Sequence, residues 1–308
     1  MMARPEQLLL ALIGEAAIGY PAWLLAVIGH PVIWIGAAIA ALDRRWNTGT
    51  ALRRRAMGVA LLALGAGGVG AIGWLIERWA GDGLAIGLVI VLATTGLAQR
   101  SLDDHVRAVA GPLLRGDVNA ACAAVGRIVG RDTQALDENG IAVAATESLA
   151  ESFCDGVVAP AFWFMIAGLP GLLVCKVVNT ADSMIGHRDA RHLHFGWAAA
   201  RTDDLVNFIP ARISGVFVCL AGLGGWATMV RDAGHHDSPN GGWPEAAMAG
   251  VLERRLGGPV SYDGEPAHRA WLGDGPAPDA SDLQRALWVY RRACVLLWAI
   301  VGGLAWLL

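Results

Sequence analysis

Charge is what this 308-residue chain has little of: 17% of its residues are charged and 55% are hydrophobic. Its mean hydropathy is +0.46. A soluble domain carries roughly 25% charged residues, so the composition excludes an ordinary soluble globule and implies an integral membrane protein. Lysine is almost missing, since all but one of the 24 basic side chains are arginine and the exception is Lys176. A net charge of −3 and the lack of a basic tract exclude a nucleic-acid partner. Five cysteines (Cys122, Cys154, Cys175, Cys219, Cys294) include no C-x-x-C pair, which favours buried free thiols over zinc or disulfides. No G-x-x-x-x-G-K-[ST] loop is present. The GRIVG at 126–130 has neither a preceding strand nor dinucleotide-loop spacing, so any nucleotide is held another way. Glu15 interrupts the first apolar stretch and no clear cleavage site follows, which argues against a signal peptide.

What the chain has instead is apolar windows, at about 8–28, 57–76, 83–98, 156–178, 211–230 and 294–308. A membrane helix needs about 20 apolar residues, and only 57–76 supplies them without a charge. The first window holds Glu15 and Pro21, the fourth Pro160 and Pro170. The expected fold is all-α: a polytopic membrane protein with four to six membrane helices, at least one broken or re-entrant, and a helical cytoplasmic insertion. It reads as one membrane-embedded domain. Helices and a basic loop fill 1–98, the insertion 99–155, and a membrane and active-site core 156–230. A Gly/Pro-rich loop region follows at 231–280 and a last membrane helix at 281–308.

Arg44, Arg45, Arg53, Arg54 and Arg55 place the first long loop in the cytoplasm by the positive-inside rule. The 77–82 link is then external, the amino terminus faces the periplasm, and the arginine-rich 99–155 segment is cytoplasmic. Val118, Cys122, Val125 and Val129 mark one helix face, with Asp117 as its N-cap. A further helix is predicted from Pro244 to Leu256, ended by Gly257-Gly258-Pro259, and a Ser281/Gln284 capping box opens the last one.

The densest polar block, Lys176 to Arg212, lies directly between two apolar windows. Ionisable groups there are costly unless they meet one another, water or a ligand, which makes the block the leading site candidate. Lys176, Asn179 and Ser183 share a helical face with Asp182 beside them. Asp203 and Asn207 are four apart, next to Asp204, with Arg201 and Arg212 flanking. Carboxylates for metal, amides for hydrogen bonds and cations for phosphate suit phosphoryl transfer. Snorkelling explains a boundary lysine taken alone, but not the aspartates. Upstream, Glu147, Glu151 and Asp155 recur at every fourth residue of a segment that reads as helix from about Glu138, and so share a face. Like charges at that spacing repel unless magnesium or an arginine lies between them; a solvated acidic face is the bland alternative. His192, His194, His235 and His236 read as surface histidines of polar loops. The DDLVN at 203–207 loosely resembles the aspartate-rich boxes of membrane diphosphate-processing prenyltransferases, but no second box accompanies it.

Taken in order, the motifs resemble one family, the CobD/CbiB cobamide-biosynthesis proteins or adenosylcobinamide-phosphate synthases. HPVIWIG at 30–36, GRDT at 130–133, ESLAESFCDGVVAPAFW at 147–163 and the KVVNTADSMIGHRD block carry the resemblance. ARTDDLVNFIPAR at 200–212, SPNGGWPEAAMAG at 238–250 and LGGPVSYDG at 256–264 extend it over nearly the whole chain. The chain departs from the family pattern at Ser152, where asparagine is usual, and at Tyr20, where Gly19-Tyr20-Pro21 stands for G-D-P. The resemblance implies ATP-dependent amide ligation of the corrinoid adenosylcobyric acid to (R)-1-amino-2-propanol O-phosphate or ethanolamine phosphate. Magnesium and ATP would take part, at a cytoplasm-facing site of a multi-pass protein of the bacterial inner membrane. A homo-oligomer and a complex with other late cobamide-assembly enzymes are the assemblies it admits. A non-enzymatic membrane sensor like the AmpE proteins is the other reading, for which the polar motifs should be eroded.

The residues and the resemblance together suggest Lys176, Asp182, Asp203 and Asp204 for catalysis, and Glu147, Glu151 and Asp155 for metal. Arg131, Asp132, Asn179, Thr180, Ser183, Arg201, Asn207, Arg212, Asn240 and Glu245 are the candidates for substrate and ATP. A single span over 156–178 would put Lys176–Arg212 on the opposite face from Glu147. The chain is therefore expected to turn back at Gly168-Leu169-Pro170-Gly171, where wet or protein-covered surroundings tolerate irregular backbone.

Overall fold

The computed structural model describes residues 2–81, 85–262 and 264–307. It is helical apart from one hairpin. Among the described residues five stretches are long and apolar enough to cross a membrane: Ala22–Trp46, Ala51–Ala80, Ile86–Leu114, Glu138–Ile185 and Ala280–Leu307. The broken pair Trp197–Val206 and Phe208–Gly222 makes a sixth if counted as one. The first apolar window is no span. α1 (Arg4–Ile18) ends at Gly19, whose φ of +65° side chains avoid, and Pro21 precedes the short α2 (Ala22–Ile28). The span is shifted onward into α3 (Pro31–Trp46). Residues 77–80 of the expected external link belong to α4, and residue 82 lies outside the described residues.

The chain forms two compact units. Unit 1 holds residues 1–98, 155–207 and 301–308: α1 to α3, α4 (Ala51–Ala80), α5 (Ile86–Thr94), α9 (Ala159–Ile185) and α10 (Trp197–Val206). Ile39, Leu61, Leu62, Val178, Ala181, Ile185 and Phe195 pack its core. Unit 2 holds 99–154 and 208–300. It contains α6 (Gln99–Leu114), α7 (Val118–Val125), α8 (Glu138–Phe153), α11 (Phe208–Gly222), α12 (Trp226–Asp232), α13 (Gly242–Leu252) and most of α14 (Ala280–Leu307). Asp117 caps α7 as expected, accepting from the Ala120 N–H at 3.0 Å, and Asp137 caps α8 through Gly140 N–H.

The region expected to lack periodicity folds as strands β1 (Leu256–Tyr262) and β2 (Glu265–Leu272), paired antiparallel. Val143, Ala233, Ala246, Ala249, Leu256 and Leu272 share a small core under this hairpin. Gly257-Gly258-Pro259 lies inside β1, at a register shift that the two glycines make possible, instead of ending a helix. α13 stops earlier, with Glu253 in the left-handed conformation. The capping box of α14 sits two residues upstream of its expected place. Asp279 accepts from the Ser281 and Asp282 N–H groups, and Asp282 accepts in return from Asp279 N–H.

Candidate active site

In unit 1 the polar block is assembled by a helical hairpin. Gly168 has φ +69° and ψ −154°, and Pro170 brings no N–H, so the α9 ladder breaks there. The Leu169 N–H that the break frees donates to Glu77 Oε1 at 2.6 Å, so α4 caps the second arm. A straight helix would hold residues 24 apart in sequence at about 36 Å. Instead Asn179 Nδ2 donates to Asp155 Oδ2 at 2.9 Å. The second arm therefore returns to the level at which the first began, as expected from Gly168-Leu169-Pro170-Gly171.

α10 packs against the first arm, and Trp163 Nε1 donates to the Val206 carbonyl at 3.1 Å. Asn207 Nδ2 donates to Asp203 Oδ2 at 3.0 Å, while the Oδ1 atoms of both residues are buried and accept from nothing among the described residues. Asp182, Asp204 and Asn179 all act on Asp203. Lys176, Asp155 and Asp203 lie within electrostatic reach of the Cys175 thiol, and Lys176 also within reach of His30 in the HPV segment. Lys176, Asp155, Asn179, Asp182, Asp203 and Asn207 thus share one locality. Thr180 and Ser183 spend their hydroxyls on the Lys176 and Asn179 carbonyls of their own helix, and Arg201 pairs with Asp204 at 3.5 Å on the surface.

The loop after α9 is tied to the arginine-rich loop that joins α3 and α4. Asp43 takes Arg191 and lies 3.8 Å from His192, which also meets Asp189 at 2.9 Å. Asn47 and Arg54 donate to the Arg191 carbonyl. His192 is thus largely enclosed between two carboxylates, not a surface residue.

Unit 2 holds a second polar centre. Glu147 is buried, pairs with Arg131 and with Arg269 at 3.1 Å, and accepts from the Gly257 N–H at 2.6 Å. Arg269 also meets Glu245 and the His236 ring, each at 3.2 Å. Burial works against the Arg269 charge, but Glu147 and Glu245 outweigh it and hold the guanidinium further protonated. Burial likewise opposes charge on His236, yet its bond to Glu245 raises the imidazole above its usual value. Burial and the Glu147 charge raise Glu245. His236 is therefore buried and bonded, where a surface histidine was expected; His235 is the exposed one. Asp132 accepts from Ser261 Oγ at 2.6 Å and Gly264 N–H at 2.8 Å, fastening the β-hairpin turn. The neighbouring Asp263 of that motif lies outside the described residues.

The acidic trio is divided by the fold. Glu147 belongs to the arginine network, Glu151 is exposed, and Asp155 belongs to unit 1. A π-helical turn at Cys154–Val158 widens the repeat between the last two. Among the described residues no three His, Cys, Asp or Glu side chains stand close enough to hold a metal ion. Arg269, Asp43, Glu77 and His30 are the polar residues that sequence reasoning did not select for the site. Arg269 lay in a stretch read as loop, with no pattern to mark its direction.

The profile of the family described as CobD/Cbib protein matches residues 8–290. A "Cobalamin biosynthesis protein CobD" of Rhodobacter capsulatus is 50% identical over 299 residues, covering 94% of each chain. Proteins of the same name from Sinorhizobium sp and Geobacter metallireducens are 44% and 42% identical, over 97% and 88% of this chain and 97% and 86% of theirs. No solved structure matches the chain.

Proposed function

We propose, from the premise that this chain belongs to the CobD/Cbib family, that its part in cobalamin biosynthesis is an ATP-dependent amide ligation. In this reading a side-chain carboxylate of adenosylcobyric acid attacks the γ-phosphorus of ATP and ADP leaves. The nitrogen of (R)-1-amino-2-propanol O-phosphate, or of ethanolamine phosphate, attacks the resulting acyl carbon. Phosphate departs, and the nitrogen proton passes to a carboxylate base. The product is adenosylcobinamide phosphate.

The observation that carries the proposal is the α9 hairpin, which sets Asp155 against Asn179 in the same locality as Lys176, Asp203 and Asn207. Lys176 would neutralise phosphate charge from one direction, Asn179 and Asn207 would orient substrate, and Asp203 or Asp182 would take the proton. The donor set also fits magnesium. Asp203 Oδ1 and Asn207 Oδ1 are hard oxygens without a donor, and magnesium uses one or two carboxylates with phosphate and water completing its shell. Bound there, it would supply charge neutralisation for the phosphoryl group. Glu147 has no place in this set, because its Oε2 serves Arg131 and Arg269 and its Oε1 accepts from the Gly257 N–H.

The same geometry supports reading the chain as a multi-pass protein of the bacterial inner membrane with its site facing the cytoplasm. The 186–196 loop is bonded to the arginine-rich segment that the positive-inside rule places inside. The test is turnover by membranes supplied with adenosylcobyric acid, ATP and aminopropanol phosphate. One amide product and one ADP should form per corrinoid consumed. Membranes that contain the folded chain and form neither would overturn the proposal.

A further inference from the structure

We propose that Arg212 is a seat for a phosphate oxyanion, received through the Nε and Nη2 edge of its guanidinium. Arg212 lies on α11, a helix apolar enough to belong to a membrane pair. Its guanidinium carbon sits 3.6 Å from the centre of the Phe208 ring and 4.7 Å from that of Trp243, so aromatic rings hold the cation. Nη1 donates to the Phe208 carbonyl at 2.6 Å and to Asn240 Oδ1 at 3.1 Å. Asn240 is itself buried, with its own N–H on Ser238 Oγ at 3.2 Å. Among the described residues no carboxylate pairs with Arg212. Among the described residues the guanidinium's hydrogen bonds are these two from Nη1, and Nε and Nη2 donate to none.

A cation fixed by ring faces and two neutral acceptors, without a counter-ion, is costly on an apolar helix. It is repaid when an anion arrives. The planar fork of arginine suits a phosphate taken by two parallel hydrogen bonds. The choice of phosphate over carboxylate rests on the ligase reading, in which ATP and the amino alcohol phosphate both present one.

The test uses the full chain in detergent and in vesicles, with Arg212→Lys, which keeps the charge and loses the fork, and Arg212→Met. Inorganic phosphate should bind the parent, bind Arg212→Lys at least about tenfold more weakly, and leave Arg212→Met without saturable binding. Thermal melting of each variant reports whether the fold persists, and Arg212→Lys should melt close to the parent. In turnover, Arg212→Lys should raise KM for one phosphate substrate about tenfold while kcat stays within about twofold. A rise for aminopropanol phosphate assigns the seat to the amine substrate, and a rise for ATP to the nucleotide. A loss seen only with phosphatidylglycerol vesicles assigns it to lipid phosphate. Phosphate binding that is absent in the parent, or unchanged in Arg212→Lys, overturns the proposal. If phosphate binding depends on Arg212 but no amide forms, the ligase reading falls and the seat stands.

Discussion

At the scale of the residue, charge without context says little about use. Glu147 and Asp155 carry the same group eight residues apart, yet one neutralises two arginines and the other accepts from an amide in a hairpin. Removing one member of a buried ion-pair network leaves the others uncompensated, at a cost of about 3–5 kcal/mol. Glu147→Gln is therefore expected to lower the melting temperature of the solubilised protein markedly, and added magnesium should not restore activity. Recovery of turnover by magnesium would instead return Glu147 to the metal site. Lys176 poses the opposite case, a lone lysine where every other basic position uses arginine. In the proposed reaction a compact ammonium would meet the phosphoryl group as a point charge, where a bulkier planar guanidinium would have to be seated differently. Lys176→Arg should insert normally and lose at least about tenfold in kcat/KM, about 1.4 kcal/mol of transition-state stabilisation. A variant as active as the parent would make Lys176 a boundary anchor.

At the scale of the element, two backbone positions decide the hairpin and its docking. Gly168 holds φ +69°, and a Cβ there would lie 2.1 Å from Glu77 Oε1, the oxygen that caps Leu169. Such strain costs about 1–3 kcal/mol before the displaced cap is counted. Gly58 matters by close approach, since a Cβ would sit 1.9 Å from the Phe195 carbonyl oxygen. Gly168→Val should abolish folded yield or activity, while Leu173→Ala, on the same arm, should be mild by comparison; equal effects would count against a special role for the turn. The β-hairpin is an element of another kind, held on unit 2 by charge as well as by Leu256 and Leu272. His236 is raised above 6.5 and Glu245 above 4.5. A raised folded-state value stabilises below the unfolded value and loses that contribution as pH rises through the folded one. Melting temperature should therefore fall as pH is raised from about 6 to 8, and His236→Gln should flatten that slope; a rising profile would contradict the sign.

At the scale of the whole molecule, the number of crossings depends on whether α9 counts as a span or as a hairpin. With the hairpin, the loop at 186–196 shares a face with the loop joining α3 and α4. Single cysteines at Thr48 and Ala190, in a background without the five native ones, should both be blocked by a membrane-impermeant reagent added from the cytoplasmic side. Labelling of the two from opposite sides would require a continuous span and dismantle the proposed site.

Much of this was legible in the chain itself. Apolar length marked α4, because a helix that long and that apolar has few other places to go. A capping residue, Asp117, placed the start of α7 through a bond only three residues long. Gly168 and Pro170 announced the break in α9, since neither side-chain sterics nor backbone donors allow a helix to run through them unchanged. The polar block, with Arg212 at its end, was selected from its residue types, whereas Asn240 and Glu245 came only with the family resemblance. What only the tertiary structure decided was which charge meets which. Arg269 finds Glu147 from 122 positions away, and Asp43 finds Arg191 from 148. Local sequence has no term for such a meeting. The energy of a buried ion pair depends on distance and desolvation, and both exist only after the elements have packed.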